Sequence, residues 1–142
     1  MRLGICRADD DGNPHLFFRQ GPVRYRRWTG FEWQAQVIVA PEPKKNQDGA
    51  FLIKSPKEIR MFLAERVGDR GEVGVWKTSN GGLQWEKESS LISSDKSDFI
   101  VGVLVRNAHP DAHVVVSEIA PKHDSPGRRM YLFGDHGPVR RE

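Results

Sequence analysis

The stretch TSNGGLQW, Thr78 to Trp85, lies near the middle of this 142-residue chain. Its residue types are those of a tight reversal. An asparagine such as Asn80 accepts hydrogen bonds from the backbone amides of its own turn. Thr78 offers a second side-chain bond to the same backbone. Gly81 and Gly82 permit the positive φ that a sharp reversal requires. Trp85 then starts the next strand, where an indole can enter the core and pin the hairpin between neighbouring sheets. The stretch therefore reads as a folding element rather than a chemical one.

Working outward, the signals are strand-like almost throughout. Leu3 to Arg7 is a short apolar run that stops at the turn cluster Asp9 to Pro14. His15 to Arg19, Val23 to Trp28 and Phe31 to Val39 follow, separated by Gly21-Pro22 and Thr29-Gly30. Pro41 to Asp48 is a polar connector, and the cycle then repeats. Ala50 to Lys54, Ile59 to Glu65, Glu72 to Thr78 and Trp85 to Leu91 make a second round. Ile59 to Glu65 (IRMFLAE) favours helix on propensity, but its flanking turns are too close for one, and a strand is predicted. Asp98 to Arg106, His113 to Ile119 and Arg129 to Phe133 begin a third round that stops about one strand short. Four-stranded rounds recurring every 40–50 residues or so are the mark of propeller blades. The fold class read here is all-β: a partial β-propeller of four-stranded antiparallel blades, 1–40, 50–92 and an incomplete 98–142, in one domain, with Trp33 and Trp85 in corresponding places.

Bulk properties narrow the function. Lys and Arg number 22 against 19 acids, a net charge of +3, which is too small to argue for nucleic acid. Cys6 is alone, so no intramolecular disulfide forms. No apolar run approaches the ~18 residues of a membrane span. The opening MRLGICRADDDG meets acids too early for a signal peptide, and reads as the interior of a domain with residues missing upstream. No histidine pair has zinc spacing. The run Asp9-Asp10-Asp11 with Asn13 lacks the distal Glu of a helix-loop-helix calcium site and reads as a polar hairpin loop. Neither a metal nor a cofactor is expected.

Thr78, Asn80, Gly82 and Trp85 fall on the places of a pattern with Ser or Thr first, then Asp, Gly and an aromatic. In this respect the chain resembles the BNR-repeat, Asp-box proteins of the sialidase-like β-propeller family, with Asn80 in place of the usual Asp and Gln84 in place of the common Thr. The resemblance implies a box that is structural and remote from substrate. It also implies a carbohydrate-related protein, part of an enzyme processing acidic polysaccharides as a hydrolase or a lyase. The alternative is a non-catalytic propeller module that binds glycan or protein. Three blades leave an open ring, so the missing partners are further blades of a longer chain or further copies of this one. The compartment stays open, a secreted or periplasmic parent protein being compatible with the reading.

The sialidase roles cannot be placed residue by residue. A lyase needs less: a His or Tyr base near the α-proton of a uronic acid, and a cation for the carboxylate. The catalytic candidates are His15, His113, His136, Tyr25 and Tyr131. The substrate-binding candidates are Arg19, Arg24, Arg128 and Trp28, arginine being suited to bidentate pairing with carboxylate or sulfate. Trp28, Trp33 and Tyr25 among arginines also suit a sugar-stacking surface, against core packing as the plainer role. For His15 and His113, both at strand starts, a packing role competes with the chemical one, and His109, His123 and His136 are placed in solvated loops.

Overall fold

The alternation of apolar and polar residues in residues 2–40 builds an antiparallel meander. In the computed structural model, which describes residues 2–41, 49–102, 110, 112–119, 129–135 and 137–138, β1 (Arg2–Ala8), β2 (Pro14–Arg19), β3 (Val23–Arg27) and β4 (Val37–Ala40) pair in chain order. A second four-stranded sheet follows, again in chain order: β5 (Gly49–Ile53), β6 (Ile59–Val67), β7 (Arg70–Thr78) and β8 (Glu86–Ser94). The third holds β9 (Asp98–Val101), β10 (Val114–Ile119), β11 (Met130–Gly134) and the two-residue β12 (Gly137–Pro138). Among the described residues there is no helix. The chain is all-β, in three antiparallel four-stranded sheets.

β6, inside the second sheet, is buried on both faces, and this explains the IRMFLAE segment. Ile59, Met61 and Leu63 of β6, with Phe51 of β5, pack against Phe17, Val23, Tyr25, Val39 and Ala40 of the first sheet. The intervening Phe62 and Ala64, with Val73 and Val75 of β7, pack against Phe99, Val101, Val114, Val116 and Phe133 of the third. A strand covered on both sides has no polar face to display. It reads as a continuous apolar run, which imitates a helix on composition alone.

Two expectations are corrected. Phe31 to Val39 is not one strand: the ladder begins only at Val37. The cause is local. Thr29 closes a turn onto Glu32, with Thr29 N–H to Glu32 O at 2.9 Å and its Oγ1 accepting from Glu32 N–H at 3.2 Å. After a single bridge, Trp28 to Trp33, the chain leaves the sheet until Val37. Trp33 and Trp85 do occupy corresponding places, each between the third and fourth strands of its sheet, but they pack differently. Trp33 stays 38% exposed, whereas Trp85 joins the packing between the first two sheets. The third unit, expected to stop a strand short, does include a fourth strand, β12.

The TSNGGLQW turn works as its residues suggest. Thr78 Oγ1 accepts from Gly82 N–H at 3.0 Å, and Asn80 Oδ1 accepts from Gln84 N–H at 3.0 Å. Gly81 and Gly82 sit at φ 75° and 88°. The indole N–H of Trp85 donates to Gly82 O at 3.1 Å. The ring then crosses to the first sheet and meets Phe17 and Tyr25 edge-on, with centroids 5.5 and 5.2 Å away. The turn on one sheet is thereby fastened to the core of another.

Candidate active site

Strand register assembles a row of charge at one end of the first sheet. Arg7 on β1 pairs with His15 on β2, which pairs with Arg27 on β3. Directly opposed residues share a face, and here it is the face toward the second sheet. Arg7 Cζ lies 5.8 Å from the centroid of Phe51 there. Arg27 Nη1 donates to Pro56 O at 2.9 Å. His15, between the two cations, is fully buried. Its Nε2 meets Asp9 Oδ2 at 3.0 Å and its Nδ1 meets Tyr25 Oη at 2.8 Å. A neutral ring satisfies both bonds: Nε2–H donates to the carboxylate and Nδ1 accepts from the phenol.

The electrostatics agree with that tautomer. Burial holds the His15 pKa below its ordinary value against the pull of Asp9, and Arg27 lowers it further. Burial opposes the charge on Asp9. Hydrogen bonds from His15 and from the backbone of Asn13 and Asp11 nevertheless keep its carboxyl below the ordinary range. Burial pushes the Tyr25 phenol upward, so it stays protonated and serves as a donor.

Where β1 and β5 end, beside the β10 and β11 strands of the third sheet, a cleft of about 450 Å³ opens. Its walls carry Arg7, Asp9 and Asp10 from the first sheet, Lys54 and Ser55 from the second, and His113 and Asp135 from the third. Lys54 Nζ is 3.3 Å from Asp135 Oδ1, and His113 Nδ1 is 3.5 Å from the same oxygen. The backbone N–H of His113 donates to Phe133 O, and that of Asp135 to Pro110 O, both at 2.7 Å. Desolvation works against the Asp135 carboxylate, but His113 and Lys54 hold its pKa below the ordinary range. The cleft thus presents an imidazole backed by an ionised carboxylate, with two cations within the same walls. Such a set can bind an anionic group and move a proton.

The candidates named from sequence are dispersed. Only His113 lines this cleft. His15 and Tyr25 are fully buried and bond each other. Tyr131 donates to Glu118 Oε1 at 2.6 Å, and that bond raises its pKa. Arg19 and Arg24 flank the Gly21-Pro22 turn at the opposite end of the first sheet, Arg24 Nε donating to Gln20 O at 3.3 Å. Trp28 stacks edge-on against Trp33 at 5.8 Å. Arg128 and His136, like His109 and His123, lie outside the described residues. Arg7, Lys54 and Asp135 escaped the sequence reading, since only the convergence of three sheets brings them together. Asp9 lies in the polar hairpin loop expected between β1 and β2, with its carboxylate turned inward onto His15. Among the described residues no cluster suited to a metal ion is present, and no helix is long and apolar enough to cross a membrane.

An all-β chain with a charged cleft at one end of its sheets is thus the class that fold and site define. No family model matches the chain. It is similar to an ulvan lyase of Nonlabens ulvanivorans, 34% identical over 97% of this chain and 31% of that protein. It is also similar to Ulvan Lyase-PL25 of Pseudoalteromonas sp. (strain PLSV), 26% identical over 97% of this chain and 30% of the relative. Among solved structures it superposes on a polysaccharide lyase of family PL25, an ulvan lyase, with a TM-score of 0.80 and 26% identity, covering 99% of this chain and 34% of that one. A second structure of the PL25 ulvan lyase, bound to -[GlcA(1-4)Rha3S]-, matches equally well, with a TM-score of 0.80. The chain spans about a third of the length of these relatives.

Proposed function

We propose that this chain is part of an enzyme that degrades an acidic polysaccharide by β-elimination, with a sulfated uronic-acid polymer of the ulvan type as substrate. The observation that carries the reading is the 34% identity to an ulvan lyase along 97% of the chain. In the same reading the three sheets are blades of a β-propeller of the Asp-box, sialidase-like type, completed by further sheets in a longer protein; the expected remoteness of the box from substrate is given up, because Gly81 N–H donates to Lys57 O at 3.1 Å, next to Pro56 of the cleft wall.

The cleft suits the chemistry. In β-elimination a base removes the proton α to the uronate carboxylate. The freed electron pair forms a carbon–carbon double bond, the bond to the glycosidic oxygen breaks, and that oxygen takes its proton from solvent. Charge accumulates on the carboxylate as the proton departs, so fixed cations lower the barrier. Arg7 and Lys54 are placed to supply them. His113 is the base in this assignment. Asp135, at its Nδ1, orients the ring and favours its protonated form once the proton has moved.

The test is to incubate the full-length protein that carries these three sheets with ulvan and follow the ultraviolet absorbance of the unsaturated uronate. Product is expected to accumulate, and Arg7→Ala to slow it about tenfold, in line with loss of one charge-assisted contact. Retention of ulvan without product would overturn the lyase and transfer support to a non-catalytic glycan-binding module. Neither retention nor product would overturn both.

A further inference from the structure

We propose that the turn from Arg26 to Trp33 is a second carbohydrate contact, a stacking platform for a sugar ring of the same anionic polysaccharide outside the cleft. The proposal rests on the function inferred above and extends its binding surface.

The turn exposes aromatic surface that the fold does not use. Phe31 is 92% exposed at the tip and Trp33 38% exposed beside it. The turn is nonetheless held firmly. Thr29 Oγ1 donates to Glu32 O at 3.1 Å and accepts from the N–H groups of Phe31 and Glu32. Gln34 N–H donates to Arg27 O at 2.9 Å. Trp28 braces Trp33 edge-on, leaving the Trp33 ring in a fixed attitude. A braced ring such as Trp33 loses little conformational freedom on binding. A sugar offers such rings the apolar C–H face of its pyranose.

Charge and position select the ligand. The Arg26 guanidinium lies 5.3 Å from the Trp33 ring centroid, so a cation accompanies the stacking surface. Glu32 is the one acid between residues 26 and 33. The turn also adjoins the cleft: Arg27, directly before Trp28, donates to the carbonyl of Pro56, and Pro56 lines the cleft. A chain of alternating acidic and sulfated sugars seated in the cleft can run across this loop onto the aromatics. When one repeat occupies the cleft, the polymer has further sugars to offer the aromatics and the disaccharide has none.

The experiment compares ulvan with its disaccharide repeat of glucuronate and 3-sulfated rhamnose. Affinities are measured on the full-length protein that carries these sheets, unaltered and as Phe31→Ala, Phe31→Ala/Trp33→Ala and Arg7→Ala. The platform predicts about tenfold weaker polymer binding in the double variant, a smaller loss in Phe31→Ala, and unchanged disaccharide binding in both. Phe31→Ala alters a side chain that is almost wholly in solvent, so it keeps the test valid if the double variant unfolds. Unchanged polymer affinity in Phe31→Ala and any folded double variant, with a loss in Arg7→Ala, would overturn the platform and leave the proposed function standing. Failure of the unaltered protein to bind either ligand would overturn both.

Discussion

Gly82→Ala is expected to destabilise the protein by about 3–5 kcal/mol, the combined scale of backbone strain and an overpacked core. The backbone at Gly82 has φ 88°, where an L-residue is strained. A Cβ built there would lie 1.9 Å from Cε1 of Tyr25. Tyr25 has no room to retreat, because Phe17 and Trp85 pack on its ring and His15 holds its hydroxyl. Gly12→Ala is the control: its φ is 80°, but nothing lies within 4 Å of the added carbon, so about 1 kcal/mol of strain is expected. Denaturant unfolding of the two variants measures the difference. Equal losses would show that the contact between the turn and the first sheet contributes nothing.

The second large effect is expected at His15. His15→Ala removes a fully buried ring and leaves the Asp9 carboxylate and the Tyr25 hydroxyl without their shared partner. About 3–4 kcal/mol is expected, from two buried polar groups that each lose a hydrogen bond together with a cavity. His15→Gln retains an amide for Asp9 and should recover part of that loss. The same site sets a pH dependence. The folded His15 pKa lies below its ordinary 6.5, so between the two values the unfolded chain binds the extra proton. Stability is then complete above about pH 6.5 and declines as pH falls through the folded value. Asp9 and Asp135, both held below 3.8, add a further loss at lower pH as each is protonated. Melting curves against pH should show the upper phase in the unaltered protein and not in His15→Gln. An identical profile in the two would remove His15 from the account.

Much of this architecture can be read from turns. Asp9 to Pro14, Gly21-Pro22 and the TSNGGLQW reversal mark real hairpins, because each uses residues whose backbone preferences act locally. The turns that flank IRMFLAE mark it as a strand, and its apolar composition follows from the covering of both its faces. FEWQAQVIV misled for a related reason. Its alternation is genuine, but the Thr29 side chain closes a turn that withdraws residues 34–36 from the ladder. The site was less legible than the strands. His113 was named, while Arg7, Lys54 and Asp135 were not, since they meet only through the packing of distant strands. His15 had the right residue type at the right place. Nothing in the order of residues tells that Asp9, one of three adjacent aspartates, turns inward to neutralise its chemistry.

The middle sheet has a consequence for how this protein comes apart. β6 and β7 offer alternate residues to two different cores, so opening either core uncovers the same strands. Opening one core thus weakens the strands on which the other depends. A single cooperative transition is expected for the three sheets, with the backbone amides of β6 and β7 the slowest to exchange in a hydrogen-exchange measurement.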